Sequence, residues 1–224
     1  LDESFLSVIK GLRSVILGGI AAPMPDQKQL KPAPTHSRRK VLAVGLASSL
    51  ASVQTGSGFL FRRYAPVSLD HLPGEWISRE GEPAIQNYYR YLESLKLKYL
   101  NPLQVIESHA KKRGSVWNTL PPKALWQGMA QTLEAADSVA ASLGRSVIEV
   151  TSAYRTAAYN RLCPGAKANS WHMRNRALDL RFEISPSSVV SAARKVRNKG
   201  VFHGGIGRYG AFTHIDTRGE NVDW

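Results

Sequence analysis

The chain has 224 residues, 43% of them hydrophobic and 21% charged, which is enough to bury a core and too apolar for wholesale disorder. Its single cysteine, Cys163, excludes an internal disulfide framework and a cysteine-built zinc finger. With 30 Lys and Arg against 17 Asp and Glu, the net charge is +13, leaving nucleic acid, an anionic membrane surface or an acidic polymer such as a cell wall as partner classes.

Residues 1–35 read as an N-terminal extension, with an apolar stretch broken by Lys10 and Arg13 and then a polar, proline-containing segment. Residues 36–53 read as an export signal or an anchor. Arg38-Arg39-Lys40 precedes Val41 to Val53, a run of 13 residues without a charge. Such a run is short for a bilayer span, which needs ~20 residues, but suits the apolar part of a secretory signal. The order Ser37-Arg38-Arg39-Lys40-Val41-Leu42 resembles the twin-arginine export signal. A buried helix behind a chance arginine pair is the alternative. Ser49-Leu50-Ala51 matches a cleavage site only weakly, so an uncleaved anchor, and membrane association through it, stays open. The expected location is the periplasm or cell envelope. Seven basic and three acidic residues fall within the first 53, so the remainder keeps +9. A basic exported protein without a base-reading motif points to an anionic wall rather than to nucleic acid.

Residues 54–99 read as a linker followed by a helix. Gly and Pro through 54–82 suggest a loop. Ile85, Tyr88, Tyr89, Leu92, Leu95 and Leu97 then give the spacing of an amphipathic helix over 83–97. Residues 100–224 form the main domain. A short helix is expected over Leu103 to Lys112. A long one is expected between Pro122 and Gly144, where Leu125, Met129, Leu133, Ala136, Ala140 and Leu143 make a stripe. The period then changes. Ser146 to Thr151 reads as a strand, and a loop of about fifteen residues follows. Arg176 to Phe182 alternates as a half-buried strand does. Ser185-Pro186 opens a helix that Gly200 closes. Gly204 to Tyr209 and Ala211 to Thr217 read as two more strands. The class is α+β: a small antiparallel sheet with helices packed on it.

Three side chains on or beside these strands suggest chemistry. His172 lies at the entry to the strand Arg176–Phe182. Asp179 lies within it, on the face opposite Leu178 and Leu180. His214 sits in the last strand, and Asp216 shares its face. Two imidazoles and a carboxylate suit a catalytic zinc site, with ligands at ~2.0–2.2 Å and one position left open. Zinc in such a site activates water and polarises an amide carbonyl. Spacing alone also permits a loop histidine, a satisfied sheet histidine and a structural carboxylate.

The words around these residues narrow the choice. Ser170-Trp171-His172-Met173-Arg174-Asn175-Arg176-Ala177-Leu178-Asp179 resembles the S-x-H-x-x-G-x-A-x-D motif of the zinc D-Ala-D-Ala carboxypeptidases and related murein endopeptidases, which share the hedgehog/DD-peptidase fold. Thr151-Ser152-Ala153-Tyr154-Arg155-Thr156 and Tyr159-Asn160-Arg161 are similar to segments upstream of that motif. Gly204-Gly205-Ile206-Gly207-Arg208-Tyr209 and Phe212-Thr213-His214-Ile215-Asp216-Thr217, with Trp224 behind them, resemble its downstream block. The resemblance runs from about Leu100 to Trp224. It implies zinc as cofactor, with His172, Asp179 and His214 as ligands. It makes Arg155 a holder of the substrate carbonyl or carboxylate, a task that a fixed guanidinium fork suits. Ser170 either binds substrate or shapes the loop.

Two departures bear on this. The motif's glycine is Asn175 here, a residue that tolerates positive φ better than most. Several members carry an acid three residues before the last histidine, where this chain has Ala211. Asp216 is then the candidate general base, or else a carboxylate that orients a ligand. Cys163 sits in no activating pattern. The expected protein is an exported, monomeric zinc metallopeptidase. It would act on peptidoglycan stem peptides or cross-links, as a DD-carboxypeptidase or a murein endopeptidase. A wall-binding module that keeps the fold without cutting is the alternative.

Overall fold

In the computed structural model, which describes residues 65–224, a five-stranded sheet carries the order β3-β4-β6-β5-β7. The strands are β3 (Glu149–Ser152), β4 (Ala177–Arg181), β5 (Gly205–Arg208), β6 (Thr213–Asp216) and β7 (Val222–Asp223). The expected signal at 36–53 and the extension at 1–35 lie outside the described residues. Among the described residues, no helix is long and apolar enough to cross a membrane.

The strand alternation decides which face is core. Leu178 and Leu180 of β4, Ile206 of β5 and Ile215 of β6 are all buried and belong to one apolar core. Burying each such side chain stabilises the fold by about 1.5–3 kcal/mol. Helices α4 (Trp126–Leu143) and α6 (Pro186–Asn198) pack together on the sheet. Met129, Leu133, Ala136 and Ala140 of α4 and Val189, Ala193 and Val196 of α6 fill the layer between. The turn residues behave as their chemistry dictates. Gly144 ends α4 at φ 60°, and the Ser185 hydroxyl caps α6 by accepting from the Ser188 N–H at 3.2 Å.

The α+β class holds, and five details depart from the sequence reading. The segment 54–82 is not loop throughout: α1 (Gly74–Glu80) places Trp76 in the core, where its indole donates to the Asn118 carbonyl at 2.8 Å. Helices α2 (Glu82–Ser94) and α3 (Pro102–His109) follow near their expected places. A two-residue hairpin, β1 (Lys112–Arg113) with β2 (Val116–Trp117), comes next. The loop before β4 contains α5 (Ala157–Arg161) and a 3₁₀ turn over Trp171–Arg174. The sheet is also not wholly antiparallel, because β7 joins β5 in parallel.

Strand β3 starts later than expected, at Glu149 rather than Ser146. The Val147 N–H is already taken by the Tyr99 carbonyl at 2.8 Å. The anchor of the hairpin is Asn118, which is almost fully buried. Its amide donates to the Tyr154 carbonyl at 2.8 Å and accepts from the Thr156 N–H at 3.0 Å. The hairpin is thereby tied to the segment that carries Arg155.

Candidate metal centre

The face of the sheet opposite the core carries the polar residues. Asp179 on β4 and His214 on β6 are directly cross-strand partners, as are Ala177 and Asp216. Register therefore puts a carboxylate and an imidazole side by side, and puts Asp216 one step along the same face. His172 arrives from the 3₁₀ turn just ahead of β4. One ligand atom each from His172, Asp179 and His214 fits within 4.8 Å of the others, and all three residues are buried.

His172 is held at three points. The Ser170 hydroxyl accepts from its N–H at 3.3 Å, and its carbonyl accepts from the Arg155 N–H at 3.2 Å. Its Nδ1 lies 2.6 Å from the Ala153 carbonyl, an acceptor, so Nδ1 carries the proton. That leaves the Nε2 lone pair facing Asp179 Oδ2 at 3.3 Å. Ser170 is occupied in capping this turn. Asn175 ends the turn at φ 54° and its side-chain amide donates to the Leu125 carbonyl at 3.0 Å, so the turn survives without the motif's glycine.

His214 sits between two carboxylates. Its Nδ1 is 2.8 Å from Asp179 Oδ1 and its Nε2 is 3.0 Å from Asp216 Oδ2. When Nε2–H donates to Asp216, a neutral ring turns the Nδ1 lone pair toward the lone pairs of Asp179. Two imidazole lone pairs and a carboxylate then face one another across a space that a divalent cation would fill. The donor set fits zinc: three ligands, two of them imidazoles, with no further ligand beside them among the described residues.

The electrostatics agree with that division at His172 and Asp179, while His214 attracts a proton that a metal would have to displace. Burial favours neutral His172 and lowers its pKa, more than its contact with Asp179 raises it. Burial would raise the Asp179 carboxyl, but His172 and His214 outweigh it and hold the group well below the usual carboxylate range. Burial also opposes charge on His214, yet its hydrogen bonds to Asp179 and Asp216 win and raise its pKa without metal. Protons and metal therefore compete for the His214 lone pair. Zinc affinity is expected to fall on acidification, starting above the ordinary histidine value of ~6.5. Chelator-competition titrations between about pH 8 and about pH 5 measure this, and a flat profile would speak against His214 as a ligand.

Asp216 is fully buried and heavily engaged. Its Oδ1 accepts from the Gly205 N–H at 2.9 Å and from Arg218 Nε at 2.8 Å, while Oδ2 takes Arg218 Nη2 and His214 Nε2. Burial would raise its pKa, but Arg218 and His214 keep it well below the usual range. Asp216 is thus a shared acceptor for His214, Arg218 and the Gly205 N–H. Arg155 likewise points inward. Its Nη2 donates to Asp179 Oδ2 at 2.7 Å and its Nε to Ser152 Oγ at 2.7 Å.

Sequence reasoning missed Arg218 and the packing of Trp224. The Arg218 guanidinium lies 5.7 Å from the Trp171 ring and 5.1 Å from the Trp224 ring. The Trp224 ring stands 5.2 Å from His214 and lies over Gly207, where an added Cβ would meet the indole at 2.6 Å. The signal was present in the Gly204-Gly205-x-Gly207 word, since glycines in a strand mark close approach of other groups.

A cavity of about 430 Å³ abuts the centre, lined among others by Lys111, Arg113, Arg155, Tyr159, Phe212 and Asp179. A larger one of about 560 Å³, between α4 and the segments at 201–203 and 217–219, contains none of the three residues of the centre. Proximity to the ligand set makes the smaller cavity the one relevant to chemistry.

A family model described as Peptidase M15 matches residues 98–216, which is more than half of the chain and includes every residue of the candidate centre. No curated protein and no solved structure matches the chain.

Proposed function

Since the chain belongs to the peptidase M15 family, we propose that it is an exported zinc metallopeptidase hydrolysing amide bonds in peptidoglycan stem peptides or their cross-links. The observation that carries this reading is the convergence of His172, Asp179 and His214 within 4.8 Å, each with its spare hydrogen-bonding atom held by a neighbour. His172, Asp179 and His214 would hold the ion. A zinc ion there supplies Lewis acidity toward water and toward an amide carbonyl.

The protein's own residues do the rest. Ala153 and Asp216 fix the tautomers of the two histidines. Arg155 sets the orientation of the Asp179 carboxylate, and its guanidinium adds positive charge where negative charge develops on the substrate. The basic balance of the chain favours residence near an anionic wall, and the twin-arginine-like segment supports export to the periplasm or envelope. Peptidoglycan is the partner, with no nucleic acid, and the protein acts as a monomer.

A non-catalytic wall-binding module is the second reading. Ala211 stands where the family resemblance implies an acid, and both Asp216 oxygens are already engaged. Incubation of the zinc-loaded protein with purified murein separates the two. New peptide fragments, absent with the His172→Ala variant, are expected. Murein that is bound but uncut would favour the module.

A further inference from the structure

The cavity beside the centre holds three cations with different degrees of freedom. The Arg155 guanidinium is committed to Asp179 and Ser152. Lys111 donates to the Thr151 carbonyl at 2.8 Å and lies 3.6 Å from Glu149. Arg113, at the end of β1, lies 5.7 Å over the Tyr159 ring and pairs with no carboxylate among the described residues. The hairpin that carries it is fixed from below by Asn118, whose contacts reach the residues on either side of Arg155. Its contact with the Tyr159 ring and this anchoring keep the exposed Arg113 beside the cavity, which lessens the freedom lost on binding.

Tyr159, Pro164 and Phe212 supply an apolar part of the lining, which suits an aliphatic segment. The cavity thus combines an apolar wall with one uncommitted guanidinium, and its carboxylate, Asp179, is already neutralised by neighbours. We propose that Arg113 reads a free carboxylate on the substrate, seated in the cavity lined by Tyr159 and Phe212, and so makes an acidic peptide the preferred ligand. Arg155, already bonded to Asp179 and Ser152, lies deeper in the same cavity. The inference rests on the stem-peptide reading above and adds to it the substrate group recognised and the residue that recognises it.

The test compares two ligands on two proteins. One synthetic stem tetrapeptide carries its carboxylates free, and the other carries them as carboxamides. Calorimetry gives the dissociation constants of both for the zinc-loaded full chain and for its Arg113→Gln variant. A carboxylate that merely touched the metal would affect both proteins equally, so the ratio isolates Arg113. The wild-type preference for the free carboxylates is expected to exceed that of Arg113→Gln by roughly tenfold, the scale of one charge-assisted hydrogen bond. Arg113→Lys should restore part of it, and all variants should keep wild-type zinc content and melting temperature. An unchanged ratio in Arg113→Gln overturns the assignment while leaving the stem-peptide reading intact. Failure of the zinc-loaded wild type to bind either peptide overturns that reading, and this inference with it.

Discussion

Asp216→Ala is expected to lower folding stability by about 3 kcal/mol and to weaken zinc binding by about 10–100-fold. The substitution strips the Arg218 guanidinium and the Gly205 N–H of their shared acceptor and frees the Nε2–H of His214. A charge left without its buried partner costs far more than the pair itself contributes. Denaturant unfolding of the zinc-free protein reads the first effect, and chelator competition reads the second. Asp216→Asn sharpens the distinction between roles. An orienting carboxylate predicts weaker zinc binding in that variant, because the amide is a poorer acceptor for His214. A general base predicts full zinc occupancy with hydrolysis lost. Linkage gives the pH dependence. The folded-state pKa of Asp216 is depressed, so its stabilisation is complete above the unfolded carboxylate value of ~3.9. It is lost as pH falls toward the lower folded-state value. The stability gap between wild type and Asp216→Asn should therefore narrow on acidification below about pH 4.

Gly204→Ala is expected to be at least as damaging, by about 3 kcal/mol or more, although it touches no candidate ligand. A Cβ at Gly204 would stand 1.7 Å from the Asp216 carbonyl oxygen and 2.7 Å from its carbon. These are backbone atoms of β6, so no rotamer change relieves the clash. The strand that carries His214 and Asp216 must move, and zinc affinity should fall with stability. Gly207→Ala provides the contrast. Its Cβ would meet the Trp224 indole at 2.6 Å, and that ring belongs to a partly exposed side chain that can swing away. Thermal unfolding of the two variants should rank Gly204→Ala as much the worse. Equal melting temperatures would mean that β5 and β6 are not packed as closely as described.

Much of this arrangement is legible in the residue pattern. Long periodic segments declare themselves: the stripe from Met129 to Ala140 on α4 and the alternation of Leu178, Asp179 and Leu180 on β4 each carry many residues that agree. Short elements do not. The hairpin strands have two residues each, too few for a period, and their position depends on Asn118 bonding to residues some forty positions away. Helix α1 begins at Gly74 behind Pro73, a sequence that reads as a loop until Trp76 is seen in the core. At the centre, alternation places Asp179 and His214 on polar faces, but cross-strand register alone makes them neighbours. Partner choice was least legible. Nothing local to Arg155 says that its guanidinium turns to Asp179, and nothing local to Asp216 says that Arg218 will close over both of its oxygens.

The most direct measurement is the zinc content of the purified full chain beside its His172→Ala variant, after both are exposed to zinc and dialysed. One tightly held zinc per chain is expected in the wild type and none in the variant, since two protein ligands with a lone pair from only one imidazole hold the ion poorly. Equal zinc in both proteins would contradict a centre built from His172, Asp179 and His214.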